Sequence, residues 1–193
     1  MAALTRTFTQ SQGPQYVLSD KRDGYEVRSY KESKWIATTV MGTSWKAAID
    51  AGVGNLLDYF ARSGKNQTGT SSAIIPVVTK IVPGEGPVCH STFEVMLADP
   101  PALSSDSDAS VKVVVMPPMT AYVAQYSGPV SDQIMIDEAE RLTDALSRDG
   151  VSVSDAHYYT TTYGTVSQEG GIAMDVWFVA KYNYWTVLIA RRQ

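Results

Sequence analysis

One order of elements, met twice along the chain, constrains this fold more than any other feature. Alternating apolar and polar residues predict strands at Tyr25, Val27 and Ser29, and again at Trp35, Ala37, Thr39 and Met41. These two runs, "YEVRSY" and "KWIATTV", are expected to pair as a hairpin across "KES". A helix follows, capped by Thr43 or Ser44 and running to about Arg62, with Trp45, Ile49, Val53, Leu56, Leu57 and Phe60 at spacings of three and four. "IIPVVTKIV" and "VCHSTFEVML", joined through "PGEGP", then read as two strands, and Pro76 points to a sheet edge or a bulge.

Past the linker "ADPPALSSDSDAS" the order begins again. "VKVVVM" and "TAYVAQYS" read as strands, and a helix from about Ser131 to Arg148 carries Met135, Ala139, Leu142 and Leu146 in one stripe, with Gly150 as its stop. "AHYYTTTYG" and "IAMDVWFVA" close the unit as strands. Two ββαββ units, 24–97 and 111–180, imply an α+β protein: a pseudo-duplicated, mainly antiparallel sheet of roughly eight or nine strands, curled into a distorted barrel with two outer helices. A single domain over 16–183 suits the length, because a chain of this size buries about 70% of its unfolded surface. Residues 1–15, polar and without a period, are expected to be a flexible arm, and 184–193 a C-terminal extension.

Charge and composition narrow the partners. A formal charge of −4 gives no electrostatic reason to seek nucleic acid or an anionic membrane, and no apolar run approaches the roughly 18 residues of a membrane span. The single cysteine, Cys89, cannot form an internal disulfide, and the polar start lacks the apolar stretch of a signal peptide, so a cytoplasmic location is expected.

No catalytic motif is present: neither GxSxG, HExxH, a P-loop nor GxGxxG. No catalytic residue is assigned, and the expected function is non-enzymatic binding. Alternation puts His90 on the face opposite Phe93, Val95 and Leu97, beside Glu94; His157 shares a face with Tyr159, Thr161 and Tyr163, at a surface or rim position. Gly52 and Gly54 each cost a helix interior about 1 kcal/mol relative to Ala, so close approach of a strand or of a flat ligand is expected there. Eleven Tyr and four Trp suit either cross-strand packing or the wall of a pocket for a planar molecule.

Taken in order, "YEVRSY", "KWIATTV", "LLDYFARSGKN", "IVPGEGP", "DPPAL", "YVAQYSG", "YYTTTY" and "DVWFV" resemble the SOUL haem-binding protein family over about residues 16–182, closer to its SOUL branch. The resemblance implies haem or a related tetrapyrrole in an apolar cleft beside the first helix, with buffering or transport as the role. The residues it places at that ligand are Ser29, Ile49, Gly52, Val53, Leu56, Leu57 and His90. At position 29, where the branch has a histidine proposed to bind iron, this chain has Ser29, and a hydroxyl is a poor iron ligand beside imidazole. Asp50 and Asp58 stand where the sister branch has basic residues for the haem propionates, and Ala73 and Ile74 replace a Met-Thr pair. Haem is therefore expected to be held by apolar contact, without the axial histidine. Two alternatives are an interaction module presenting Leu142, Ala145, Leu146 and Asp149 of the second helix to a protein partner, and an enzyme using the same cleft with Glu94, His90 or a Tyr as acid or base.

Overall fold

The computed structural model describes residues 14–62, 76–85, 90–98, 110–163 and 172–181. Its elements run β1 (Tyr16–Arg22), β2 (Tyr25–Tyr30), β3 (Ser33–Gly42), α1 (Trp45–Arg62), β4 (Val77–Val82), β5 (Ser91–Ala98), β6 (Val111–Met116), β7 (Met119–Gly128), α2 (Asp132–Arg148), β8 (Val153–Tyr163) and β9 (Ile172–Ala180). The strands form one nine-stranded sheet in the order β1-β2-β7-β9-β8-β4-β5-β3-β6, and every pairing is antiparallel. It is an open sheet with β1 and β6 at its edges, loosely consistent with the expected distorted barrel.

Outward from the central β8–β4 pair, the order reads β4-β5-β3-β6 on one side and β8-β9-β7-β2 on the other. The first strand of each unit has thus crossed into the other half. This overturns the expected hairpin: β2 pairs with β1 and β7, whereas β3 pairs with β5 and β6. Lys31 and Glu32 offer no Gly or Asn for a tight reversal and carry the chain from one half to the other. Pro117 and Pro118 make the matching crossing between β6 and β7.

The hairpin partner of β2 is β1, turned through Asp23 and Gly24, whose φ of +93° is left-handed backbone. Sequence alternation missed β1 because nearly all of its side chains face solvent and a bulge between Leu18 and Asp20 breaks the period. Pro76 lies just before β4, in the sheet interior rather than at an edge; the ladder starts only at Val77, so no hydrogen bond is lost to the proline.

Both helices pack on one face of the sheet, α1 against β3, β5 and β4, and α2 against β7 and β9. Ser44 Oγ accepts from Ala47 N at 3.1 Å, and Ser131 Oγ accepts from Ile134 N at 3.2 Å, so each helix begins on a serine cap. Gly150, at φ +68°, follows the end of α2. On the helix face Ile36, Phe93, Val95, Leu97, Met174 and Val176 meet the apolar stripes of the helices. The opposite face gathers a second core of Tyr30, Trp35, Met96, Met116, Tyr159 and Trp177. Among the described residues, no helix is long and apolar enough to cross a membrane.

Candidate functional site

Helix α1 turns most of its expected ligand contacts inward. Ile49, Gly52 and Leu56 are buried with Trp45, whose Nε1–H donates to Thr160 Oγ1 at 2.9 Å. Gly52 is there for close packing: a Cβ on it would sit 2.5 Å from Val95 Cγ2, so only a glycine lets the helix lie this near β5. Gly54 differs, since a Cβ there would meet nothing within 4 Å. Beside it Val53 is half-buried and Leu57 is 50% exposed. Asp50 and Asp58 flank this outward strip, and Asp50 is paired with Lys46 at 2.8 Å.

The other two expected site residues lie elsewhere. Ser29 sits on β2, in the half of the sheet that carries α2, between Val17 and Thr120, and its Oγ is 3.1 Å from Ser19 Oγ. His90 is exposed and precedes β5. It lies five residues from Val95, the neighbour of Gly52, which is about 17 Å along an extended chain. Ser29, His90 and the outward strip of α1 therefore do not form one cluster.

On the face opposite the helices an ion-pair network appears that sequence reasoning did not find. Arg28 is buried; its Nη1 donates to Asp175 Oδ2 at 2.7 Å, its Nε donates to Glu26 Oε2 at 2.9 Å, and its guanidinium lies 4.3 Å from the centre of the Tyr16 ring. Tyr163 donates to the same Asp175 oxygen at 3.1 Å, and Tyr30 stacks on Trp177 at 4.6 Å. Burial pushes the Asp175 carboxyl up, opposed by the charge and hydrogen bond of Arg28. Burial likewise pushes the Tyr30 and Tyr163 phenols up. With Arg28 held by two carboxylates, the network ties β2 to β9 and leaves no poised acid or base. The available signal was the alternation itself, which puts Glu26, Arg28 and Tyr30 on one face of "YEVRSY".

The residues named for the two alternatives are likewise engaged. Glu94 pairs with Lys112 at 2.7 Å. Leu142, Ala145 and Leu146 are buried under α2, and Asp149 accepts from the Tyr25 hydroxyl at 2.6 Å.

At the end of this face near His157, four strands bring side chains side by side. Met41 and Val82 both pair with Thr92, and His157 follows on β8, one position before the Tyr158–Ile81 pair. Met41 is 68% exposed and Val82 38%, whereas His157 and Thr92 are half-buried. The imidazole stands edge-on to Tyr159 at 5.4 Å between centres.

The fold thus defines a class: an α+β protein of two ββαββ units with exchanged first strands and both helices on one face. The family model described as SOUL heme-binding protein matches residues 11–192, and the chain belongs to that family. It is 28% identical over 162 residues to Heme-binding protein 2 of Homo sapiens and to that of Mus musculus, a match covering 81% of this chain and 78% of each relative. Among solved structures, the EcmrR C-terminal domain superposes with a TM-score of 0.54 at 9% identity, covering 81% of this chain and 98% of that one. A hydrolase from Listeria innocua gives a TM-score of 0.51 at 7% identity, covering 84% and 94%. At such identities the likeness is one of fold.

Proposed function

We propose that this protein binds a flat tetrapyrrole, haem or a metal-free relative, by apolar contact along the outward strip of α1, as a buffer or carrier. The observation that carries the reading is Gly54, a half-buried glycine in the interior of α1 with open space where its side chain would be. Among the described residues no contact offsets its cost of about 1 kcal/mol, and a plate lying on the backbone between Val53 and Leu57 would do so. Membership of the SOUL heme-binding protein family supports the choice of ring. The residues here suit the ring rather than an iron atom: Val53, Gly54 and Leu57 offer apolar surface, while Ser29 lies in the other half of the sheet. Asp50 and Asp58 repel carboxylates, so the propionates point away from them into solvent. Removal of apolar surface from water at about 25 cal/mol per Å² supplies the affinity.

The test is a fluorescence titration of the full chain with metal-free protoporphyrin IX. Saturable binding is expected, weakened at least about tenfold by Leu57→Glu, the equivalent of about 1.4 kcal/mol. Equal binding by both proteins, or none by either, rules the strip out.

A further inference from the structure

We infer that the sheet face opposite the helices carries a second seat at Met41, Thr92, Val82 and His157, in which the imidazole of His157 coordinates the iron of a ferric tetrapyrrole. The inference rests on the tetrapyrrole reading above but uses the opposite face of the sheet and a different bond.

Three observations carry it. The first is the state of the imidazole: among the described residues its one ring contact is the edge-on Tyr159, and neither ring nitrogen has a hydrogen-bond partner. A half-buried histidine held in place by an aromatic ring, with its nitrogens free, has the lone pair a metal needs. Burial, and then the Lys80 ammonium, hold it below its ordinary range, which keeps it in the neutral, ligating form.

The second is the floor beside it. Met41 is 68% exposed and Val82 38%; strand pairing sets both opposite Thr92, in the row next to the Ile81–Tyr158 pair that His157 precedes on β8. With neighbouring strands about 4.8 Å apart, the stretch from His157 to Met41 spans about 14 Å, wide enough for a flat ring over Val82, Thr92 and Met41. Burying these side chains under a ring is favourable, and the core of Tyr159 and Trp177 continues the same face inward from His157.

The third is charge. Lys80 stands in the next row, paired with Tyr159 on one side and Glu94 on the other, and it is in no ion pair among the described residues. Its ammonium complements a ring carboxylate, in contrast to Asp50 and Asp58 on α1. In the binding step the neutral imidazole nitrogen gives its lone pair to ferric iron and displaces a bound water; no electron moves and no proton is released.

The experiment is an absorbance titration of the full chain with haemin, in parallel with the metal-free ring. The wild-type protein should show a Soret band shifted to that of an imidazole-ligated ferric haem. His157→Ala and the bulkier His157→Phe should both lose that shift, and added free imidazole should restore it in His157→Ala. Leu57→Glu should keep the shift. Neither His157 variant should change the affinity for metal-free protoporphyrin IX, so failure of this seat is separable from failure of the α1 strip. A Soret shift that persists in both His157 variants, or none in the wild type, overturns the inference.

Discussion

Replacing Gly54 by Ala adds a methyl group to open space in a helix, whereas the same change two residues earlier drives a methyl into Val95. Gly54→Ala should therefore stabilise the fold by about 0.5–1 kcal/mol, through helix propensity and a less flexible unfolded chain. Gly52→Ala should destabilise it by about 1–3 kcal/mol, because the sheet beneath cannot yield. Urea midpoints of the two variants check both signs. Both glycines were conspicuous in the sequence as costs without a visible return. Only coordinates could divide them, since the return at Gly52 comes from a residue 43 positions away, Val95, in another strand. Ser29 was opaque for the same reason: its partner Ser19 lies in a strand with almost no buried residue to announce it. The face of His157 was legible from alternation, but its exposed neighbours Met41 and Val82 were not, because they reach it through pairings no local pattern encodes.

The two helices were the most readable elements, with serine caps and periodic stripes that match the packed faces. Less readable was how α2 is fastened at its far end, where the Tyr25 hydroxyl donates to Asp149 at 2.6 Å and joins β2 to the helix terminus. Burial first, and then the bond to Asp149, push the Tyr25 phenol from 10.0 up to about 12. The folded state thus keeps its proton at pH values where the unfolded chain has lost it, and stability falls as pH rises. The contribution of this phenol is complete below the ordinary value of 10.0 and disappears as pH passes through about 12. Tyr25→Phe, which removes one charge-assisted hydrogen bond, should cost about 1.5 kcal/mol near neutral pH. The gap in denaturant midpoint between variant and wild type should close across that alkaline window. Other buried tyrosines titrate equally in both proteins and cancel from the difference.

The doubled order of elements was legible across the whole chain, and with it the fold class. The path of the sheet was not, because Lys31 and Glu32 look like any polar link until β2 is seen on β7 and β6 on β3. That crossing sets an expectation for a chain cut between Ala98 and Ser110. The first fragment lacks β6 of its own half and carries β1 and β2 of the other, whereas the second lacks β1 and β2 and carries β6. Neither should fold alone, and mixing the two should restore the near-ultraviolet circular dichroism of the buried Trp35, Trp45 and Trp177. A fragment that folds by itself would contradict this reading of the topology. The consequence reaches past the experiment. A lone ββαββ unit built this way is an open hook that closes only around another of its kind, so this polypeptide holds within itself the handclasp that two separate subunits would otherwise have to make.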